Sequence, residues 1–216
     1  AFRAFWEPLL ASGPVEVLLF GDFETEKAVE ALRNTVGALK PRSAASISQK
    51  ASQVIFPAAT AKPLRFTHKG PKDQLAAVIG WPTGAGLAQI SEARQLEVLA
   101  ALFRDRLFEK FRSEQAASYS PDATATWPDE FASGGFLMAY SQMRPKDKVR
   151  FFAFANAVAA DLASTPVSKD ELQRALEPIL QYVERATTGN LFWMNELEGA
   201  TYNAARYEAL GRLYSD

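Results

Sequence analysis

SEARQLEVLAALFRDRLFEKFRSEQAASYSPDATAT, residues 91–126, is the stretch whose reading decides the fold. In its first part Leu96, Leu99, Ala100, Phe103, Leu107 and Phe111 recur at the i, i+3, i+4 spacing of one helical face, while Glu97, Arg104, Glu109 and Lys110 fall elsewhere. Ser91 stands where a capping hydroxyl belongs, so the pattern predicts a helix over about 91–113. After the polar linker Ser-Glu-Gln-Ala-Ala-Ser the residues change to a strand-like run, about 117–126. A second strand over about 135–142 is expected beyond WPDEFASGG, whose Pro and Gly residues suit a hairpin connection of several residues.

Outward from this centre the same two periods alternate. Upstream, LAAVIGW at 75–81 reads as a strand leading into PTGAG. Phe2, Phe5, Trp6, Leu9 and Leu10 have helical spacing, ended by Gly13-Pro14, and VEVLLF at 15–20 reads as a strand. Ala28, Val29, Leu32, Val36 and Leu39 form one stripe of a helix from Glu24 to Leu39, closed by Lys40-Pro41. Residues 41–63 are rich in Ser, Ala and Pro and read as a connector.

Downstream, a Phe- and Ala-rich helix is expected over about 146–163. Ser168-Lys169-Asp170-Glu171 then supplies a capping box for another, with Leu172, Leu176, Ile179 and Val183 on one face and Pro178 placed to kink it. Residues 190–215 read as one or two short helices. Few strands, several long helices and a hairpin imply an α+β fold in which a mostly antiparallel sheet packs against the helices. There is no internal repeat and no domain boundary in the pattern, so residues 1–216 are expected to form one domain.

The chain has 216 residues, 48% of them apolar and 23% charged, with fifteen Phe and four Trp. A chain of this length buries about 70% of the surface its unfolded form exposes and needs no disulfide or metal to hold it. Its 24 basic and 25 acidic residues give a net charge of −1, so no global field favours nucleic acid or an anionic membrane. No apolar run approaches the roughly 18 to 20 residues that span a bilayer, and residues 1–20 lack the features of a signal peptide. The compartment stays open, a periplasmic or secreted location being compatible with a bacterial source. The chain opens on Ala1 rather than Met, and the expectation is a piece of something longer.

Much chemistry is missing. Without Cys there is no thiolate nucleophile or Cys-based zinc site, and His68 is the sole imidazole, so neither a His-rich zinc site nor a Ser-His or Cys-His pair can form within the chain. The acidic residues are scattered along helices rather than gathered in a ligand loop. Neighbours such as Asp129-Glu130 and Asp170-Glu171 do not face each other. GAGLAQ at 84–89 lies between a strand and a helix, as a dinucleotide fingerprint requires, but Gln89 occupies the third small-residue position. A nucleotide-binding domain using Gly84 and Gly86 is the reading from a different class.

Arg112 and Tyr119 remain. A helix-to-strand corner can bring both side chains to one cleft, where a planar guanidinium and a phenol donor would grip a peptide carbonyl or a developing oxyanion. The alternative is a helix C-terminal Arg favoured by the macrodipole and a half-buried strand Tyr.

The segment FRSEQAASYSP resembles a stretch of the C-terminal half of the pitrilysin/insulinase family of zinc metallopeptidases, whose relatives include the mitochondrial processing peptidases. In that family an Arg at a helix end, six intervening residues and a Tyr hold substrate. Here Arg112 and Tyr119 match, while Pro121 after the Tyr departs from the pattern. VEVLLFGDFETEKAVEALRNTVGAL is similar to the strand-turn-helix that opens a domain of the family. GGFLMAYSQM and VSKDELQRALEPILQYVERATTGNLFW follow in the family's order, so the resemblance covers most of the chain.

The resemblance implies a single domain, the last of a four-domain enzyme, whose inverted HxxEH zinc motif lies in another domain or in a partner subunit. This chain would then hold no metal or other cofactor. It would form part of a chamber and bind peptide through Arg112 and Tyr119, with no nucleic-acid or membrane partner. A purely structural or assembly relative of the same fold is the closest rival. A domain of this kind is also expected to expose an apolar patch where a neighbour docks, with Phe2, Phe5 and Trp6 as candidates.

Overall fold

The computed structural model describes residues 2–43, 54–60, 62–84, 86–113, 121–128, 131 and 134–216. The chain divides into two compact units, one of residues 1–52 with 184–210, the other of residues 53–183 with 211–216.

The second unit is built on a three-stranded antiparallel sheet of β1 (Leu75–Pro82), β2 (Asp122–Thr126) and β3 (Phe136–Met143), in the order β1-β3-β2. β3 is central. Its register pairs Ala139 with Ile79 on one side and with Ala123 on the other. The α+β class and the antiparallel hairpin are as the residue pattern predicts. Burial along β3 alternates: Leu137, Ala139, Ser141 and Met143 are buried, and the residues between them are not.

On that buried face the sheet presents small side chains, Ala77, Ala123, Ala139 and Ser141, which let helices approach closely. Two helices fill the space with aromatic rings: α3 (Ile90–Ser113) brings Phe103, Leu107 and Phe111, and α4 (Lys148–Ser164) brings Phe151, Ala155 and Val158. Phe111 stacks edge-on to Phe154 with ring centroids 5.1 Å apart.

The expected α3 stripe is buried at Ala100, Phe103, Leu107 and Phe111, but Ala101 and Leu102 are buried too. They pack against Ala175 of α5 (Lys169–Ala186), so α3 lies between the sheet and a further helix and its apolar arc is wider than one stripe. Ser91 is not the cap: a 3-10 turn over Leu87–Gln89 starts the helix at Ile90, and the Ser91 hydroxyl accepts from the Gln95 amide at 3.4 Å.

At the capping box of α5 the Glu171 amide donates to Ser168 Oγ at 3.2 Å, and the Glu171 carboxylate is held by Arg106 of α3, with the Ser168 amide also lowering its pKa. Arg106 donates through Nε to Oε1 at 2.6 Å and through Nη2 to Oε2 at 2.9 Å, and Nη1 reaches Asp161 of α4 at 2.9 Å. Pro178 stands inside α5, which continues past it.

This fork joins three helices, and its geometry sets a prediction. The Arg106 hydrogen bonds and charge hold the Glu171 carboxyl below its ordinary value. A depressed carboxylate stabilises the fold above the unfolded-state pKa, and that contribution is lost as pH falls through the folded-state value. Arg106→Ala should therefore destabilise by about 1 to 3 kcal/mol at pH 7, the range for hydrogen bonds to charged groups, and by less under acid conditions that protonate Glu171. Urea titrations of both proteins at pH 7 and pH 3 read the difference.

The first unit holds α1 (Phe2–Leu10) and α2 (Thr25–Asn34). α6 (Asn190–Glu196) also belongs to it, and α7 (Ala204–Gly211) begins in it. α1 ends before Gly13, whose φ of 80° is the left-handed conformation that glycine adopts without strain. VEVLLF, expected to be a strand, forms no ladder with any described residue; its burial nonetheless alternates with period two. The helix expected over 24–39 stops at Asn34, followed by a 3-10 turn over Val36–Ala38, and the stripe stays open: Val29 on α2, Val36 in the turn and Leu39 after it are exposed.

Candidate functional site

Arg112 lies in the last turn of α3, one residue from its end. Its partner helix face is buried through Phe111, so the guanidinium points away from the core and its side chain is 73% exposed. The carboxylate of Glu109, one turn back, is 3.8 Å away. A surface pair of this kind is worth little and does not hold the arginine in place. Tyr119 lies outside the described residues. Pro121 is buried, and β2 begins at Asp122.

The sheet places a second polar pair near that corner which the sequence reading missed. Asp122 and Tyr140 are cross-strand neighbours, and the Tyr140 hydroxyl donates to Asp122 Oδ2 at 2.8 Å. The Ala123 amide donates to Oδ1 at 2.8 Å. Hydrogen bonding to Asp122, then its charge, then burial raise the Tyr140 pKa. Its phenol thus stays neutral and its proton is committed to the carboxylate. The only sequence signal for this pair was the alternation of FLMAYSQM, which fixes the face on which Tyr140 stands.

Among the described residues of this unit no helix packs on that face. Across it run Val78, Tyr140 and Asp122 in one row and Gly80, Met138 and Thr124 in the next. Val78 is 57% exposed, and Gly80 and Ala76 add almost no relief. The result is a shallow surface with small apolar groups and a few hydroxyls, closed behind by the aromatic core.

The other singled-out residues have local partners. His68 is exposed, and its Nδ1 accepts from the Gly70 amide at 3.0 Å. Gly84 has φ 76° and donates its amide to Gly135 at 3.2 Å, beside the Thr83 amide at 2.9 Å to the same oxygen. That amide is not free to cradle a phosphate, which argues against the glycine-loop reading. Asp170 pairs with Arg174 and Glu171 with Arg106, so these neighbours serve different partners. Asp129 and Glu130 lie outside the described residues. Among the described residues no cluster of three His, Asp or Glu side chains stands ready for a metal ion.

An antiparallel sheet with helices packed on one face and a long helix ending in an exposed Arg define an α+β domain. Comparison with known proteins places it. The family described as the peptidase M16 inactive domain matches residues 1–179, and the chain belongs to that family. It is thereby a domain of the pitrilysin/insulinase-like zinc metallopeptidases, of the inactive kind.

The fold is similar to that in the crystal structure of the periplasmic protease PqqL from Escherichia coli. That match has a TM-score of 0.52 at 16% identity, covering 89% of this chain and 21% of that one. No curated protein matches the sequence.

Proposed function

We propose that the chain is the non-catalytic, peptide-holding part of a zinc metallopeptidase, a wall of the space in which peptides are cut, with HxxEH and zinc in another domain or in a partner subunit. Residues 1–216 then form one M16 domain within a longer assembly.

The open face of the β1-β3-β2 sheet carries this reading. Sheets of this kind expose a face when something polar or transient meets it, and here the face is shallow, nearly uncharged and rigidly backed, as suits extended peptides of varied sequence. Arg112 stands beside it in sequence, at the helix end that leads into β2, and is held by no strong partner. Its guanidinium and the Tyr119 phenol are the donors that would take a substrate carbonyl.

Peptide binding by the chain alone tests the proposal. An unstructured peptide of about ten residues, titrated into labelled chain, should shift the amide resonances of β2, β3 and residues 112–121 and leave those of α5 unchanged. No shift at millimolar peptide, with the fold intact, would favour the purely structural relative.

A further inference from the structure

Gly80 sits inside β1 although the strand's own geometry does not call for a glycine. The pairing with β3 runs unbroken from Leu75 opposite Met143 to Pro82 opposite Phe136, with no bulge, and the Gly80 backbone lies outside the left-handed region. A glycine inside a strand costs stability and leaves a side-chain position empty, which is of use where another group must approach closely. The empty position is on the open face of the sheet. Gly80 is exposed, and a Cβ added to it would meet Leu137 O at 3.7 Å and Met138 Cβ at 3.9 Å, both ordinary contacts. Val78 and Pro82 flank the gap along β1 and Met138 stands across from it on β3, so its walls are apolar.

The same face carries one charge. Among the alternate residues that the register places there, from Ala76 to Pro82 on β1, Asp122 to Thr126 on β2 and Phe136 to Gln142 on β3, Asp122 alone is acidic or basic. Its two oxygens are held by the Tyr140 hydroxyl and the Ala123 amide, each at 2.8 Å. Both donors are neutral, so they fix the carboxylate without cancelling its charge. A fixed anion on a surface otherwise without charge favours a cationic partner, and a guanidinium or ammonium group can donate to the lone pairs that remain.

Gly80 and Asp122 lie two strands and one row of side chains apart. Strands ~4.8 Å apart and a rise of ~3.4 Å per residue put their Cα atoms ~12 Å from each other, close to the ~13 Å that separates residues four apart on one side of an extended chain. We infer that this face selects extended peptides carrying an apolar and a basic side chain four residues apart, the apolar one entering the gap at Gly80 and the basic one pairing with Asp122. The inference rests on the peptide-holding reading of this face and gives it a substrate class. Positions between the two anchors meet the shallow remainder of the surface and stay unselected.

Peptides of about ten residues, titrated into the 216-residue chain and followed by the amide resonances of β1 and β3, test it. The parent peptide carries Leu and Arg four residues apart among Gly, Ser and Ala, and is made in both orders. In one order it should bind ~10-fold or more tightly than the same peptide with Gly for Leu, the scale of burying one Leu side chain. It should bind ~5-fold more tightly than the peptide with Gln for Arg, the upper range for a partly exposed ion pair. Gly80→Val should abolish the preference for Leu and leave the fold at least as stable, since Val suits a strand and its Cβ has room. Asp122→Asn keeps an oxygen to accept from Tyr140 and should abolish the preference for Arg alone. Urea unfolding reads the stability of each variant. A preference that survives its variant, or equal affinity whatever the peptide carries at the two positions, would overturn the inference and leave the peptide-holding reading standing. Failure of the folded chain to bind any of the peptides would overturn both. A loss of stability on Gly80→Val would show the gap to be filled by the chain itself and would also overturn the inference.

Discussion

Arg112→Ala and Tyr119→Phe, each placed in the assembly that carries the zinc site, should lower kcat/KM for peptide hydrolysis by ~10² to 10³, the range for loss of one preorganised oxyanion donor. Folding and zinc content should not change. Arg112 is exposed and its ion pair among the described residues is a 3.8 Å contact with Glu109 on its own helix, so its removal should cost less than about 0.5 kcal/mol in stability. Tyr119→Phe deletes one oxygen and keeps the ring. If the pair acts only on bound substrate in the ground state, the loss appears in KM with kcat preserved. Unchanged kinetics in both variants would reduce the arginine to a helix end and the tyrosine to a strand residue. The Tyr140 phenol is the internal control: its proton is held by Asp122 at 2.8 Å, so Tyr140→Phe should cost stability through the unpaired carboxylate before it costs rate.

Phe151→Ala should destabilise the sheet-bearing unit by about 3 to 5 kcal/mol, the cost of a large aromatic side chain removed from a packed core. Phe151 is fully buried and lies against Phe111, centroids 6.4 Å apart, and against Phe152 at 5.3 Å. The small sheet residues of the same core, Ala77, Ala123 and Ala139, cannot swell to fill the space, so the cavity persists. A drop of this size is a large fraction of the stability of a typical domain. Thermal and urea unfolding measure it, and a loss below about 1 kcal/mol would mean that the helix layer does not pack on the sheet as described.

The helices and the hairpin were legible because their burial is local and one-sided: the period of Leu96 to Phe111 and the alternation of FLMAYSQM both follow from a single buried face. Legibility failed where a residue answers to something distant in sequence. Ala101 and Leu102 are buried by α5, some seventy residues on, and the Glu171 carboxylate is bound by Arg106, 65 residues back. VEVLLF keeps its strand pattern in the alternation of its burial and pairs with no described residue. Near the candidate site, the end of α3 at which Arg112 stands was legible from the helical period. The Asp122–Tyr140 pair was invisible because it depends on the register of two strands, which spacing does not reveal. The apolar exposure of Phe2, Phe5 and Trp6, expected of a domain with a docked neighbour, is present.

Peptide hydrolysis by the purified chain, measured alone and then with the zinc-bearing half of its peptidase added, tests the central claim most directly. With a single histidine in the chain, the proposal predicts no turnover above background alone, and zinc-dependent turnover on addition that Arg112→Ala depresses. Zinc-dependent turnover by the chain alone, or full activity of the zinc-bearing half without it, would contradict the account.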